Sequence, residues 1–153
     1  MAKVNIGVIG LGRMGQVYGY HAARQIDAAR LVAVADPRQT VTDQFTSSVG
    51  GDIAVYADAG ALLAHPDLHG VIIATPTSTH RDLVIAAAAA GKHIFCEKPT
   101  ALTLTATDDM IAAVQQAGVM FQVGFMRRFD EGYQAAKAKI DAGDIGQPVM
   151  IRS

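Results

Sequence analysis

The sequence predicts an α/β fold, a doubly wound parallel sheet with helices on both faces. Three observations carry this. Short Val/Ile-rich runs alternate with longer helix-like segments along the chain. Residues 71–74, VIIA, are apolar on both faces, as an internal parallel strand must be. A glycine-rich turn, GLGRMG, joins the first strand to the first helix.

The elements follow in order. Residues 4–9 form the first strand and 13–25 the first helix. A strand at 31–35 leads to a helix at 39–47, and a short strand at 53–56 to a brief helix at 59–64, ended by His65-Pro66. After the strand at 71–74, a helix over 79–90 stops at Gly91, a usual left-handed cap. Residues 93–96 are another strand. A helix over 105–117 has Thr105 as its expected cap, Asp108 and Asp109 in its first turn and Gly118 as its stop. Residues 120–123 are the last core strand and 131–142 an amphipathic helix. Val149-Met150-Ile151 then begins a strand, which reads as the opening of a further domain or as a final edge strand. The expected division is a nucleotide-binding domain over 1–125, then a connecting helix and the start of a second domain over 126–153.

Composition bounds the function. The chain has 153 residues, half of them apolar, and a net charge of −1. No basic stripe calls for nucleic acid, and no apolar run approaches the roughly 20 residues that span a bilayer. Cys96 is the single cysteine, so disulfides cannot hold the fold. The start, MAKVNIGVIG, lacks the features of a secretory signal, and a cytoplasmic protein is expected. No metal site is expected.

The glycine turn carries the first chemistry. Gly10 permits the tight turn, Gly12 lets a pyrophosphate approach the backbone, and Gly15 allows the helix to pack closely on the strand. With Leu11, Arg13 and Met14 they present a helix start to an anion. Asp36 ends the second strand 21 residues beyond Gly15, where an acid meets the adenosine ribose. A carboxylate there accepts from both ribose hydroxyls and repels a 2′-phosphate, favouring NAD over NADP. Arg38 is placed to stack on adenine or to pair with a phosphate.

Two further loops sit at carboxyl ends of strands, where open α/β sheets bind ligands. In the first, Ala74-Thr75-Pro76-Thr77-Ser78-Thr79-His80, Pro76 fixes the turn and Thr75 and Thr77 offer hydroxyls. Thr79 reads as a cap, and His80 as either a packed helix-start histidine or a ligand contact. In the second, an apolar strand ends abruptly in Glu97-Lys98-Pro99. Charge at the end of a buried strand is expensive unless paired or used. The Lys98 ammonium can meet a substrate hydroxyl or a nicotinamide ribose, with Glu97 orienting the cofactor end. Burial and a cationic nicotinamide ring would both lower the pKa of such a lysine. Pro99 sits where a cis proline re-aims a chain beside a site.

The ordered set of glycine loop, Asp36, Thr-Pro-Thr-x-x-His and Glu-Lys-Pro resembles the Gfo/Idh/MocA oxidoreductases, and within them the inositol 2-dehydrogenase-like branch. The resemblance runs through VIGLGRMGQVYGYHA, VAVADPR, VIIATPTSTH, AAAAAGKHIFCEKPTALT and VGFMRRFDEGY, almost the whole chain. It implies an N-terminal Rossmann domain whose family members also carry a C-terminal α/β domain, absent here, which covers the site and makes a homo-oligomer interface. It implies that a secondary alcohol of a cyclitol or sugar loses a hydride to NAD. Lys98 matches the lysine that binds the reacting hydroxyl and joins its proton relay. Gly10, Gly12, Gly15 and Asp36 match the cofactor positions, and Thr75, Pro76, Thr77 and His80 the loop beside the nicotinamide half. Many relatives carry Asn where Thr77 stands. Met126 matches a segment that approaches the cofactor, and Arg127 one that approaches substrate; Arg128 is equally a solvated charge. The His and Asp that serve as general base in the family belong to the C-terminal domain, and no His follows His93. The resemblance thus implies a cofactor-binding half that is catalytically incomplete alone.

The alternative is a non-catalytic NAD(H)-binding or sensing module, since this fold is reused in that way. Lys98 discriminates, because a sensor needs no ammonium at the substrate edge. Glycoside cleavage or biliverdin-type reduction would use the same scaffold, and the segment GFMRRFD argues against both.

Overall fold

The computed structural model describes residues 2–150 and residue 152. Six parallel strands form one sheet in the order β3-β2-β1-β4-β5-β6. They are β1 (Val4–Ile9), β2 (Ala29–Ala35), β3 (Ala54–Tyr56), β4 (Gly70–Ile73), β5 (His93–Cys96) and β6 (Phe121–Val123). The helices are α1 (Arg13–Arg24), α2 (Gln39–Val49), α3 (Ala59–Leu63), α4 (His80–Ala89), α5 (Leu104–Ala117) and α6 (Glu131–Asp141). Strand order reverses direction between β1 and β4, and such a switch point opens a crevice beyond the carboxyl ends.

Two apolar layers sandwich the sheet. On one face, Leu62 and Leu63 of α3, Val84, Ala87 and Ala88 of α4, and Met110 and Val114 of α5 pack with Val71, Ile73, Ile94 and Cys96. On the other, Ala22 of α1 and Phe45 and Val49 of α2 pack with Val8, Leu31 and Val34. Strands β1, β2 and β4 are near-continuous apolar runs because both faces are covered. Their stiff, branched side chains suit a pleated surface.

Some boundaries differ from the sequence reading for local reasons. Residues 77–79 form a 3₁₀ turn, and α4 starts at His80. Thr79 precedes that helix, but its hydroxyl donates to the Pro76 carbonyl (2.8 Å) and pairs with the Thr75 hydroxyl (2.7 Å) instead of capping. The cap of α5 is Thr103, not Thr105: Thr103 is extended and its hydroxyl accepts from the Ala106 N–H at 3.2 Å. Asp108 and Asp109 consequently lie in the second turn, and the first turn has no acid. Gly118 ends α5 in the left-handed conformation at φ 66°. Residues 126–129 form a 3₁₀ helix between β6 and α6. No residue of α6 is buried. Val149 and Met150 are not strand, and Ile151 lies outside the described residues. No described helix is long and apolar enough to cross a membrane.

Candidate functional site

The carboxyl edge of the sheet is stitched together strand by strand. Gly10 N–H donates to Ala35 O (2.8 Å), Ala74 N–H to Ile9 O (2.9 Å), Glu97 N–H to Ile73 O (2.9 Å) and Gly124 N–H to Cys96 O (2.8 Å). The glycine turn, the Thr75 loop, the Glu97 turn and the Gly124 turn therefore stand side by side.

Three glycines do three different jobs. Gly10 has φ 87°, and a Cβ there would stand 2.7 Å from Thr75 Cγ2 and 2.9 Å from the Ala74 carbonyl oxygen. Gly15 carries α1 against the turn so closely that a Cβ would overlap the Gly10 carbonyl oxygen. Around Gly12 a Cβ would meet nothing within 4 Å, so this glycine is required by nothing in the free protein. It opens a space beside the start of α1. That helix begins on Gly12 with no side-chain cap, which leaves first-turn N–H groups for an anion. The residues present fit a dinucleotide pyrophosphate.

A cleft of about 610 Å³ runs from this turn across the tips of β1, β2 and β4. Gly10, Gly12, Asp36, Arg38, Ala74, Thr75 and Pro76 line it. Asp36 is almost fully buried, and both carboxylate oxygens are engaged. Oδ2 accepts from Leu11 N–H (2.8 Å) and Arg38 Nη2 (2.8 Å); Oδ1 accepts from Arg38 Nε (2.8 Å) and Arg38 N–H (3.0 Å). The Arg38 guanidinium bonded to it, aided by the backbone donors, lowers the Asp36 pKa from 3.8 to about 2, against the opposing effect of burial. Leu11 contributes its backbone here, while its side chain is buried in the core.

Other expected residues stand elsewhere. Arg13 is exposed and Met14 half-buried, and neither lines the cleft. Thr77 begins the 3₁₀ turn, also off the lining. His80 is 1% exposed, so of its two readings the packed one describes its position. Its Nδ1 stands 3.0 Å from the Pro99 carbonyl oxygen and its Nε2 3.0 Å from that of Thr75. The imidazole thus braces the threonine loop to the proline turn. The Lys98–Pro99 peptide bond is cis.

Lys98 is exposed and lines a second pocket, of about 380 Å³, with Phe125, Met126, Arg127 and Arg128. The Arg127 guanidinium lies over the Tyr133 ring, 4.7 Å from its centroid, and donates to the Tyr133 hydroxyl. Glu97, by contrast, is buried at 6% exposure. Its Oε2 accepts from the Lys98 N–H at 2.8 Å and its Oε1 from the Tyr18 hydroxyl. Burial, together with the hydrogen bond to Glu97 and its negative charge, pushes the Tyr18 phenol well above its ordinary range. No described group of three or more His, Cys, Asp or Glu residues could hold a metal ion.

Sequence reasoning missed Ala57, Asp58 and Ala59, which wall the cleft beyond β3, and Leu83 of α4. Asp58 carried a usable signal. It caps α3 by accepting from the Ala61 N–H at 2.9 Å, a pattern visible as an acid before a small-residue helix start.

Comparison with known proteins agrees with this geometry. Residues 4–125 match the Gfo/Idh/MocA profile, described as an oxidoreductase family with an NAD-binding Rossmann fold. The chain is 43% identical over 151 residues to scyllo-inositol 2-dehydrogenase (NAD(+)) of Bacillus subtilis, covering 98% of this chain and 44% of that protein. It is 39% identical over 149 residues to myo-inositol 2-dehydrogenase of Thermotoga maritima, covering 97% and 44%. The crystal structure of scyllo-inositol dehydrogenase from Lactobacillus casei with bound NAD(H) and scyllo-inositol superimposes with a TM-score of 0.90 at 34% identity, over 95% of this chain and 43% of that one. The chain thus spans less than half the length of these relatives. Fold, glycine cradle and sequence agree that it belongs to the Gfo/Idh/MocA oxidoreductase family and carries that family's NAD-binding Rossmann fold.

Proposed function

We propose that this chain is the cofactor-binding half of an NAD-dependent dehydrogenase that oxidises a secondary alcohol of a cyclitol or sugar. The observation that carries the reading is one continuous edge bearing the buried Asp36, the glycine cradle on the adjacent strand and, two strands beyond the cradle, the ammonium of Lys98. The names of the relatives, inositol dehydrogenases, support the substrate class.

Bound NAD supplies the hydride acceptor. The chain's own residues bind and orient. Gly10, Gly12 and Gly15, with the backbone of Leu11, Arg13 and Met14, receive the pyrophosphate, and Asp36 receives the ribose hydroxyls with Arg38 beside the adenine. Ala74, Thr75, Pro76 and Thr77 flank the nicotinamide half, with His80 bracing their loop, and Met126, which lines the second pocket with Lys98, approaches the cofactor from that side. Lys98 hydrogen-bonds the reacting hydroxyl and takes part in moving its proton, and Arg127 helps to hold the substrate. The second pocket's lining contains no imidazole or carboxylate, so Lys98 has no partner base within it. The chain alone is therefore expected to bind NAD weakly and turn over little. Residues 126–153 belong, in this proposal, to the connection with a substrate domain. A cytoplasmic setting and a homo-oligomeric whole protein complete it.

Titration of the chain with NADH, followed by nicotinamide fluorescence, tests the reading. Saturable binding that survives Lys98→Ala is expected, and no saturation at millimolar cofactor would refute it. Rapid oxidation of myo-inositol by the chain alone would refute its incompleteness.

A further inference from the structure

One group at this edge has no part in the chemistry just described. Tyr18 lies on α1, three residues beyond Gly15 in the helix that the glycine turn opens, and 79 residues before Glu97. Its ring stands edge-on to Phe95 of β5, with centroids 5.1 Å apart at 68°. Its hydroxyl donates to the buried Glu97 carboxylate, whose other oxygen accepts the Lys98 N–H. No cation lies within salt-bridge distance of Glu97 among the described residues. A buried carboxylate without a cation needs its hydrogen bonds filled. Here the phenol fills one and the lysine backbone the other. Gly124 leaves the pair room, since a Cβ there would press to 3.1 Å on the Phe95 ring and 3.4 Å on Glu97 Oε1.

We propose that Tyr18 is a positioning residue: through Glu97 it ties the helix that receives the pyrophosphate to the backbone of the lysine at the far end of the site. The tether sets the orientation of Glu97, and with it the peptide from which the Lys98 side chain departs. The cradle and the lysine turn then move as one unit, although they belong to different strands. The phenol is protonated, and so a donor, throughout the neutral range, and burial beside Glu97 shifts it further in that direction. The consequence for binding rests on the function proposed above; the tether itself does not.

The substitution Tyr18→Phe keeps the ring against Phe95 and removes only the donor. Two readouts apply to the intact chain. The first is the backbone amide resonance of Lys98 in chain labelled with ¹⁵N-lysine, one of five lysine signals, assigned by Lys98→Arg. It should shift in Tyr18→Phe, and shift again in Glu97→Gln, which keeps the shape but changes the acceptor. The second compares ADP-ribose, which lacks the nicotinamide, with NADH. ADP-ribose should bind the Tyr18→Phe chain within about twofold of the parent, while NADH binding weakens by up to about tenfold, because only the nicotinamide half depends on the lysine turn being held in register with the cradle. An unmoved Lys98 amide overturns the tether. Equal weakening of both ligands also overturns it, because it would mean that Tyr18 merely supports α1. Should Tyr18→Phe fail to fold, Tyr18→Leu, which also removes the donor and leaves Glu97 in place, decides by the same amide. If the parent binds neither ligand, the functional reading falls, and the Lys98 amide still decides the tether.

Discussion

The three glycines of the first turn predict three different phenotypes for one chemical change, the addition of a methyl group. At Gly12 the backbone, φ −68° and ψ −172°, suits any residue, and the new carbon would touch nothing within 4 Å. Folding should barely notice Gly12→Ala. A surface change of this kind stays within about 0.5 kcal/mol, which is about 1–2 °C in Tm at this chain length. NADH binding, however, should weaken by about 10- to 100-fold, or about 1.4–2.8 kcal/mol, because the methyl would occupy the approach to the pyrophosphate. Gly10→Ala is the reverse case. Its positive φ and its contacts at 2.7 and 2.9 Å should cost about 2–3 kcal/mol of stability. Gly15→Ala should cost about 3 kcal/mol or more, since the methyl would overlap a backbone oxygen that cannot move independently of the turn. Thermal melts by circular dichroism and fluorescence titration with NADH read the two axes separately. If Gly12→Ala bound NADH within about twofold of the parent, the turn would not be the cofactor cradle, and the reasoning would fail.

Further outcomes concern single groups. The depressed pKa of Asp36 adds stability that is complete above 3.8 and is lost as the pH falls through about 2. Asp36→Asn should therefore be less stable than the parent near neutrality, and the gap should close on acidification in chemical denaturation followed at several pH values. Burial, then the charge of Glu97, pushes the Cys96 thiol up to about 12. It should resist iodoacetamide in the folded chain at mildly alkaline pH and react fully once unfolded, as mass spectrometry would show. Thr103→Ala should cost about 1 kcal/mol in urea denaturation, while Thr105→Ala costs distinctly less, because only Thr103 caps α5.

The parts of the fold written in local pattern were legible. The alternation of branched apolar runs and helical segments places β1, β5 and the start of α1 correctly to the residue, and Gly118 marks the end of α5. Caps were less so: Thr105 is the expected cap of α5, but the backbone entering the helix is extended at Thr103, and that residue takes the role. At the site, the positions of the three glycines and Asp36 follow from spacing, but the engagement of both Asp36 oxygens by Arg38 does not. The two readings of His80 could not be separated without knowing that two carbonyl oxygens flank its ring. The Tyr18–Glu97 bond spans 79 residues, and no periodicity announces a contact between a helix surface and a distant strand tip. The wall made by Ala57, Asp58 and Ala59 was missed for a similar reason, since it is formed by the neighbour of a neighbour in the sheet.

The occupied state of Asp36 has a consequence for how the adenosine end must be filled. Its oxygens already hold a guanidinium, so in the proposed function an incoming diol would not dock onto a vacant acceptor; it would take part in an exchange with the side chain of Arg38, which is itself more than half exposed. The free energy of recognition is then a small difference between two sets of hydrogen bonds. The displaced arginine would remain anchored at the rim, free to lay its plane on the purine next to that diol.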